Sequence, residues 1–294
     1  MLACQASEAI FFFTHLSLFT MQTQSNPVIA RFTFRTARFW GATLLGAALL
    51  AGCGGGGDDA TPTPNPPPAP APTLSQTQGI WQSAAGAATT VSALVLPDGQ
   101  LWAVLVNGTG VGASTQLLMA TLAVQGSGFS ATGKRFVLDG SASAATSVPV
   151  GASVKEKDTL SLQLGAGTTA EIKTLVWQPR YEIPVQLSEL AGNWSATLGA
   201  GTVRWAVDAQ GGITGTRTTG CTYSGQFSLR PERQAVVDAQ VQEDCAGVRV
   251  RLNGVGTLQP VVATATGTAA AHARLNLVLT TADEAQAVLL GLQR

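Results

Sequence analysis

The stretch Leu74-Ser75-Gln76-Thr77-Gln78-Gly79-Ile80-Trp81 returns 113 positions later as Leu187-Ser188-Glu189-Leu190-Ala191-Gly192-Asn193-Trp194. At nearly the same offset Gly86 meets Gly199, and the turn Asp98-Gly99 meets Gly211-Gly212. Further on, Leu160-Ser161-Leu162-Gln163-Leu164 is matched by Leu275-Asn276-Leu277-Val278-Leu279, and Thr168-Thr169-Ala170-Glu171 by Thr280-Thr281-Ala282-Asp283. Repetition at near-constant spacing marks two copies of one unit of about 110 residues, here 74–183 and 187–294. Two arrangements fit the pattern: separately closed units, or one sheet shared between them.

Within a copy the hydrophobic period is two. Val203, Trp205 and Val207 alternate with Arg204, Ala206 and Asp208; Val237, Ala239 and Val241 alternate with Asp238, Gln240 and Gln242; Val248, Val250 and Leu252 alternate with Arg249, Arg251 and Asn253. Apolar side chains on one face and small or polar ones on the other are the mark of half-buried antiparallel strands. The 33 glycines and a charged fraction of only 12% point the same way, toward turn-rich β structure rather than helix bundles. Runs of this length between glycine-containing turns give seven to nine strands per copy, and hence an all-β chain of two tandem antiparallel barrel-like or sandwich units. The Gly-x-Trp that opens each copy is similar to the lipocalin signature, which tips the balance toward a barrel. That resemblance implies that Trp81 and Trp194 plug one end of each unit, with Arg180 and Arg294 stacked on them through a cation–π contact. Two large aromatics filling two cores is the plainer alternative.

The N-terminal quarter has a different character. Arg31, Arg35 and Arg38 precede a twelve-residue, largely apolar run from Phe39 to Leu50, followed by Ala51-Gly52-Cys53. The run is too short to span a bilayer and matches the charged and hydrophobic regions of a secretory signal. Leu50-Ala51-Gly52-Cys53 resembles the lipobox of bacterial lipoproteins. The resemblance implies cleavage before Cys53, acylation of its thiol, and anchoring by several acyl chains. Gly54 after the cysteine, in place of Asp, implies export to the outer membrane. Residues 1–52 are thus expected to be a signal peptide, with 1–20 a misassigned start and Met21 the true one.

Residues 53–73 carry the lipidated cysteine and a Gly- and Pro-rich linker, in which positions 61–72 hold seven of the 14 prolines. Such a tract favours polyproline II; at ~3.1 Å per residue, its stretch from Gly54 to Thr73 reaches up to roughly 60 Å. The full chain has no net charge; without residues 1–52 it carries about two net negative charges. Without a basic run it has nothing to neutralise phosphates, which argues against nucleic acid as a partner.

Cys4 leaves with the precursor and Cys53 takes the lipid, so Cys221 and Cys245 remain, both in the second copy. In an oxidising compartment they are expected to form a disulfide between the runs 222–230 and 235–242. A metal or redox role would need a Cys-x-x-Cys or neighbouring histidines. The processed chain offers only His272, and no metal or other cofactor is expected.

Catalytic signatures are missing too, with neither Gly-x-Ser-x-Gly nor Ser-x-x-Lys. Glu243-Asp244 reads as solvated, as does the turn Lys155-Glu156-Lys157-Asp158. Gly108-Thr109-Gly110-Val111-Gly112-Ala113 imitates a dinucleotide motif, but Asp139 lies too far on for the acidic partner and the all-β setting lacks a βαβ unit. It reads as a hairpin loop.

Leu50-Ala51-Gly52-Cys53, Leu94-Val95-Leu96-Pro97-Asp98-Gly99, Gly192-Asn193-Trp194 and Gly220-Cys221-Thr222-Tyr223-Ser224-Gly225 with Cys245 together resemble a group of proteobacterial lipoproteins. That resemblance brings no activity with it. The expected function is a non-enzymatic binding, adhesion or envelope module on the outer membrane, facing the periplasm or the surface, with a protein or glycan as partner. The alternative is a lipocalin-like carrier of a small apolar ligand, its lumen lined in the first copy by Trp102, Val104, Phe129 and Phe136.

Overall fold

The computed structural model describes residues 70–109, 113–138, 145–198, 201–232, 234–259 and 273–294. The signal region 1–52, Cys53, the linker up to residue 69, Gly110–Gly112, Asp139, Gly199 and His272 lie outside the described residues.

The first copy contributes β1 (Gly79–Ser83), β2 (Thr89–Val95), β3 (Gln100–Asn107), β4 (Ser114–Thr121), β5 (Ala123–Gln125), β6 (Gly128–Val137), β7 (Thr146–Lys155), β8 (Thr159–Leu164) and β9 (Glu171–Gln178). They run antiparallel in the order β4-β3-β2-β1-β9-β8-β7-β6-β5. Pairing of Gln116–Met119 on β4 with Val137–Lys134 on β6 closes eight of them into a barrel. The short β5 forms a hairpin with the start of β6, outside the ring.

The second copy contributes β10 (Gly192–Leu198), β11 (Gly201–Val207), β12 (Gly212–Arg217), β13 (Thr222–Leu229), β14 (Val236–Cys245), β15 (Val248–Gln259), β16 (Arg274–Thr281) and β17 (Ala287–Gln293). These close in chain order into a second eight-stranded antiparallel barrel. The closing seams differ. In the first barrel β1 and β9 pair from Ile80↔Gln178 to Ser83↔Leu175, whereas β10 and β17 meet at the single pair Ser195↔Gln293.

The alternation read from sequence sets which face is inside. Val203, Trp205 and Val207 are buried in the second barrel with Val237, Ala239 and Val241, while Arg204 is exposed. The penultimate strands correspond: Leu160, Leu162 and Leu164 on β8 and Leu275, Leu277 and Leu279 on β16 all point into their barrels. Val248, at 53% exposure, is the exception, because the β14–β15 hairpin projects past the ring at its tip.

Two turns show why glycine stands where the copies match. Gly99 and Gly211 have φ of +84° and +86°, and a Cβ would lie 2.6 Å from the carbonyl oxygens of Leu122 and Phe227 respectively. Those residues donate their own N–H groups back to Gly99 and Gly211, at 2.9 and 2.8 Å. In both barrels the leucine of the entering turn, Leu74 or Leu187, packs on this glycine.

The copies close separately and do not share a sheet, yet they belong to one compact unit. Ile80, Leu94, Leu96, Trp102 and Tyr181 on one side bury themselves against Ala235, Val236 and Val255 on the other. Burial of this apolar surface is the main attraction between the barrels. The connector takes part: Pro179–Glu182 forms a 3₁₀ turn that buries Tyr181 at this surface, after which α1 (Leu187–Leu190) buries Leu190 in the second barrel's own core. Ala235 donates its N–H to the Tyr181 carbonyl at 3.1 Å, tying the connector to the second barrel.

Candidate functional site

The two signature tryptophans occupy equivalent places. Trp81 and Trp194 are both fully buried, and each indole N–H donates to the carbonyl four residues earlier, Thr77 at 2.9 Å and Leu190 at 2.7 Å. Those carbonyls belong to the short helical turns that enter each barrel, at Leu74–Gln76 and α1. The preceding glycines, Gly79 and Gly192, have φ of +154° and +134°.

What covers each indole differs. In the second barrel the Arg294 guanidinium lies 5.0 Å from the Trp194 ring centroid. It also donates to the carbonyls of Ala191 at 2.6 Å and Glu189 at 3.3 Å. In the first barrel the expectation for Arg180 needs correcting. The place beside Gly79 and the Trp81 indole is filled by Trp177, whose ring would be 2.8 Å from a Gly79 Cβ. Lys157 stands over Trp177 at 5.8 Å. Pro179 turns the chain off β9 before Arg180, whose desolvation lowers its guanidinium pKa.

Cys221 and Cys245 are joined by a disulfide. They are directly opposed across β13 and β14, one step beyond the pair Thr222↔Asp244. Glu243 comes within 4.8 Å of both sulfurs, but sulfurs bonded to each other offer no thiolate to a metal. The neighbouring carboxylates are separately occupied. Glu243 accepts from the Tyr223 hydroxyl at 2.6 Å, while Asp244 accepts from Arg249 at 2.9 Å and from the Gly247 N–H at 3.0 Å. The Arg249 bond holds Asp244 below the usual carboxylate range, and burial followed by the Glu243 bond pushes the Tyr223 phenol well up. In the charged turn, Lys155 pairs with Asp158 and Lys157 with Glu182.

The barrel interiors are filled. In the first, Trp81, Leu101, Leu105, Leu118, Leu160 and Leu162 meet in one buried cluster; in the second, Trp194, Trp205, Phe227, Leu275 and Leu277 do the same. Trp205 packs tilted against Tyr223 at 5.7 Å and Phe227 at 6.5 Å, and its indole N–H is buried with no hydrogen-bond partner. Of the four side chains expected to line a lumen, Phe129 is inside the first barrel, and Phe136 is buried. Trp102 and Val104 are on the opposite face of β3 from Leu101, Ala103 and Leu105, and Trp102 belongs to the surface that meets the second barrel. Both faces of that strand are apolar because both are covered, which erases the alternation that would have given the phase.

A groove of about 590 Å³ runs between the barrels. Its apolar lining includes Trp102, Met119 and Val255, and polar side chains from both barrels surround these: Gln100, Thr121 and Thr132 from β3, β4 and β6, with Asn253 and Thr281 from β15 and β16. Two ion pairs reach it. Lys134 of the first barrel meets Glu284 of the second at 2.7 Å. Arg230, largely buried, donates to Asp238 at 2.6 Å and has Glu232 at 3.8 Å and Asp98 of the first barrel at 3.9 Å. The lining is assembled from strands more than a hundred residues apart, and no local motif announces it. Trp102, expected in the lumen of the first barrel, is part of this lining instead. Comparisons with protein-family models, with curated proteins and with solved structures find no match to this chain.

Proposed function

We propose that this chain is a non-enzymatic binding protein of the bacterial envelope, anchored to the outer membrane through an acylated Cys53 and meeting its ligand in the groove between its two barrels. The observation that carries the reading is the contrast between interior and exterior. Fully buried side chains occupy both barrels, whereas the groove is open, mixed in polarity and of the size that small-ligand sites have. The Leu50-Ala51-Gly52-Cys53 sequence and the proline tract after it support an anchor and a spacer that holds the barrels away from lipid. The correspondence of Trp81 with Trp194 and of Gly99 with Gly211 supports an origin by duplication.

The anchor is tested by labelling with radioactive palmitate. Wild type takes up label and fractionates with outer membrane, and Cys53→Ser does neither; label on the serine variant would remove the anchor. The site is tested with a hydrophobic dye and a lipid extract. Filled barrels leave the dye unbound at micromolar protein.

Displacement of bound dye by lipid would favour the second reading, a lipocalin-like carrier. One observation supports that reading: the Trp205 indole N–H sits inside the second barrel without a partner, where a ligand oxygen could accept from it.

A further inference from the structure

We propose that the groove between the barrels takes a short, uncharged glycan. This rests on the groove being the binding site, and it names the chemistry that the site selects.

The lining's charges are already matched. Lys134 is held by Glu284, and Arg230 by Asp238 with Glu232 and Asp98 close by. Among the described residues of the lining no cation is left without a carboxylate partner to attract an acidic ligand, and three carboxylates around Arg230 repel one. A cationic ligand would have to share Glu284 and Asp238 with Lys134 and Arg230, which already hold them at 2.7 and 2.6 Å.

An apolar ligand fares worse. It would strip water from Gln100, Thr121, Thr132 and Asn253 and give no hydrogen bond in return.

An extended peptide finds no ladder to join. The groove is walled by β3, β4, β6, β14, β15 and β16, and each of these already has a strand on both sides. Strand addition needs a free sheet edge, and ring closure has used these up.

A neutral polyhydroxylated chain meets none of these objections. Its C–H faces can lie on Met119 and on the edge of Trp102 that the interface leaves 8% exposed, while its hydroxyls bond the threonines, Gln100 and Asn253. Asp238 and Glu284 are 39% and 45% exposed, so each keeps acceptor sites for a hydroxyl donor without giving up its cation.

The test is saturation-transfer NMR on the full chain, with maltotriose and triacetylchitotriose as glycan probes. Pentaglutamate, pentalysine and a hydrophobic dye serve as the competing chemistries. Two variants fill the groove from opposite walls, Thr132→Trp and Asn253→Trp, both at exposed strand positions; circular dichroism checks each fold, and either suffices if the other does not fold. The expected result is saturation transfer to at least one trisaccharide, weakened about tenfold or more by a filled groove, with no signal from the charged peptides or the dye. Groove-sensitive binding of a peptide or the dye without any trisaccharide overturns the glycan assignment and leaves the groove reading standing. Trisaccharide binding untouched by both variants, or no binding by any probe, overturns both.

Discussion

Removing the Arg294 side chain isolates the force that closes the second barrel. The ladder between β10 and β17 consists of one registered pair, Ser195↔Gln293, so the seam depends on what lies beside it. Arg294 supplies that support: a 2.6 Å bond to the Ala191 carbonyl, a longer one to Glu189, and a guanidinium 5.0 Å from the Trp194 ring. A charged hydrogen bond contributes about 1.5–3 kcal/mol net. An exposed cation–π contact adds about 0.5–1 kcal/mol. Arg294 is solvent-exposed, so the low end of both applies, and Arg294→Ala is expected to cost about 2 kcal/mol, roughly a thirtyfold change in the unfolding equilibrium. Urea unfolding followed by tryptophan fluorescence gives the midpoint, and hydrogen exchange locates the loss in β10 and β17. Arg294→Lys should recover only part of the stability, because an ammonium can donate to the two carbonyls but has no planar face to lay over the indole. An unchanged midpoint for Arg294→Ala, or full recovery with lysine, would refute this account of the seam.

The disulfide closes a segment of 24 residues, so Cys221→Ser with Cys245→Ser should destabilise by about 3.5 kcal/mol in the chain-entropy treatment, read from urea midpoints; a shift below about 1 kcal/mol would mean the hairpin already holds those strands together. The chain's two tyrosines, Tyr181 and Tyr223, are both buried, and burial raises both phenols above their ordinary 10.0, Tyr181 to about 12. Since the fold keeps these protons longer than the unfolded chain, their contribution to stability is complete below pH 10 and is lost as pH rises toward the folded values. An ultraviolet titration should therefore show phenolate only above the ordinary range or together with unfolding, and ionisation near pH 10 with native near-ultraviolet dichroism would contradict the burial of both rings. Gly99→Ala and Gly211→Ala combine a positive φ with a carbonyl 2.6 Å from the new methyl and should cost about 2–3 kcal/mol each, whereas Gly86→Ala has φ +82° but open space and should cost about 1 kcal/mol. Equal thermal-denaturation losses at the three sites would remove the carbonyl contact from the explanation.

How much of this could be read in advance depended on whether a face was solvated. On β11 the inward Val203, Trp205 and Val207 are separated by an exposed Arg204, and the alternation gave the barrel wall directly. On β3 the sequence Leu101-Trp102-Ala103-Val104-Leu105 has apolar residues on both faces, one toward the lumen and one toward the neighbouring barrel, so periodicity could not tell lining from interface. The equivalence of the two tryptophans was legible because Gly-x-Trp is a local pattern, and the indole bond back to the entering turn is local too. The residue covering the first indole was not. Arg180 and Arg294 stand at nearly matching distances from their tryptophans in sequence, but Pro179 diverts one chain and Trp177 fills the position. The groove was invisible for a different reason, since pairs such as Lys134–Glu284 join residues whose proximity depends on how two finished barrels dock.

Closure of the first ring also has a mechanical meaning. For a chain held by its N-terminus, tension enters at Thr73 and arrives first at β1, which is bonded to β2 from Gly79↔Val95 onward and to β9 from Ile80↔Gln178 onward. A hairpin at a sheet edge can be peeled one bond at a time from a single neighbour. A strand inside a ring has to shear against two neighbours together, and β1 also carries the buried Trp81, bonded to the Thr77 carbonyl. Force applied through the N-terminus therefore acts on the doubly paired β1, and the single-pair seam between β10 and β17 is not on the strand that the tether pulls.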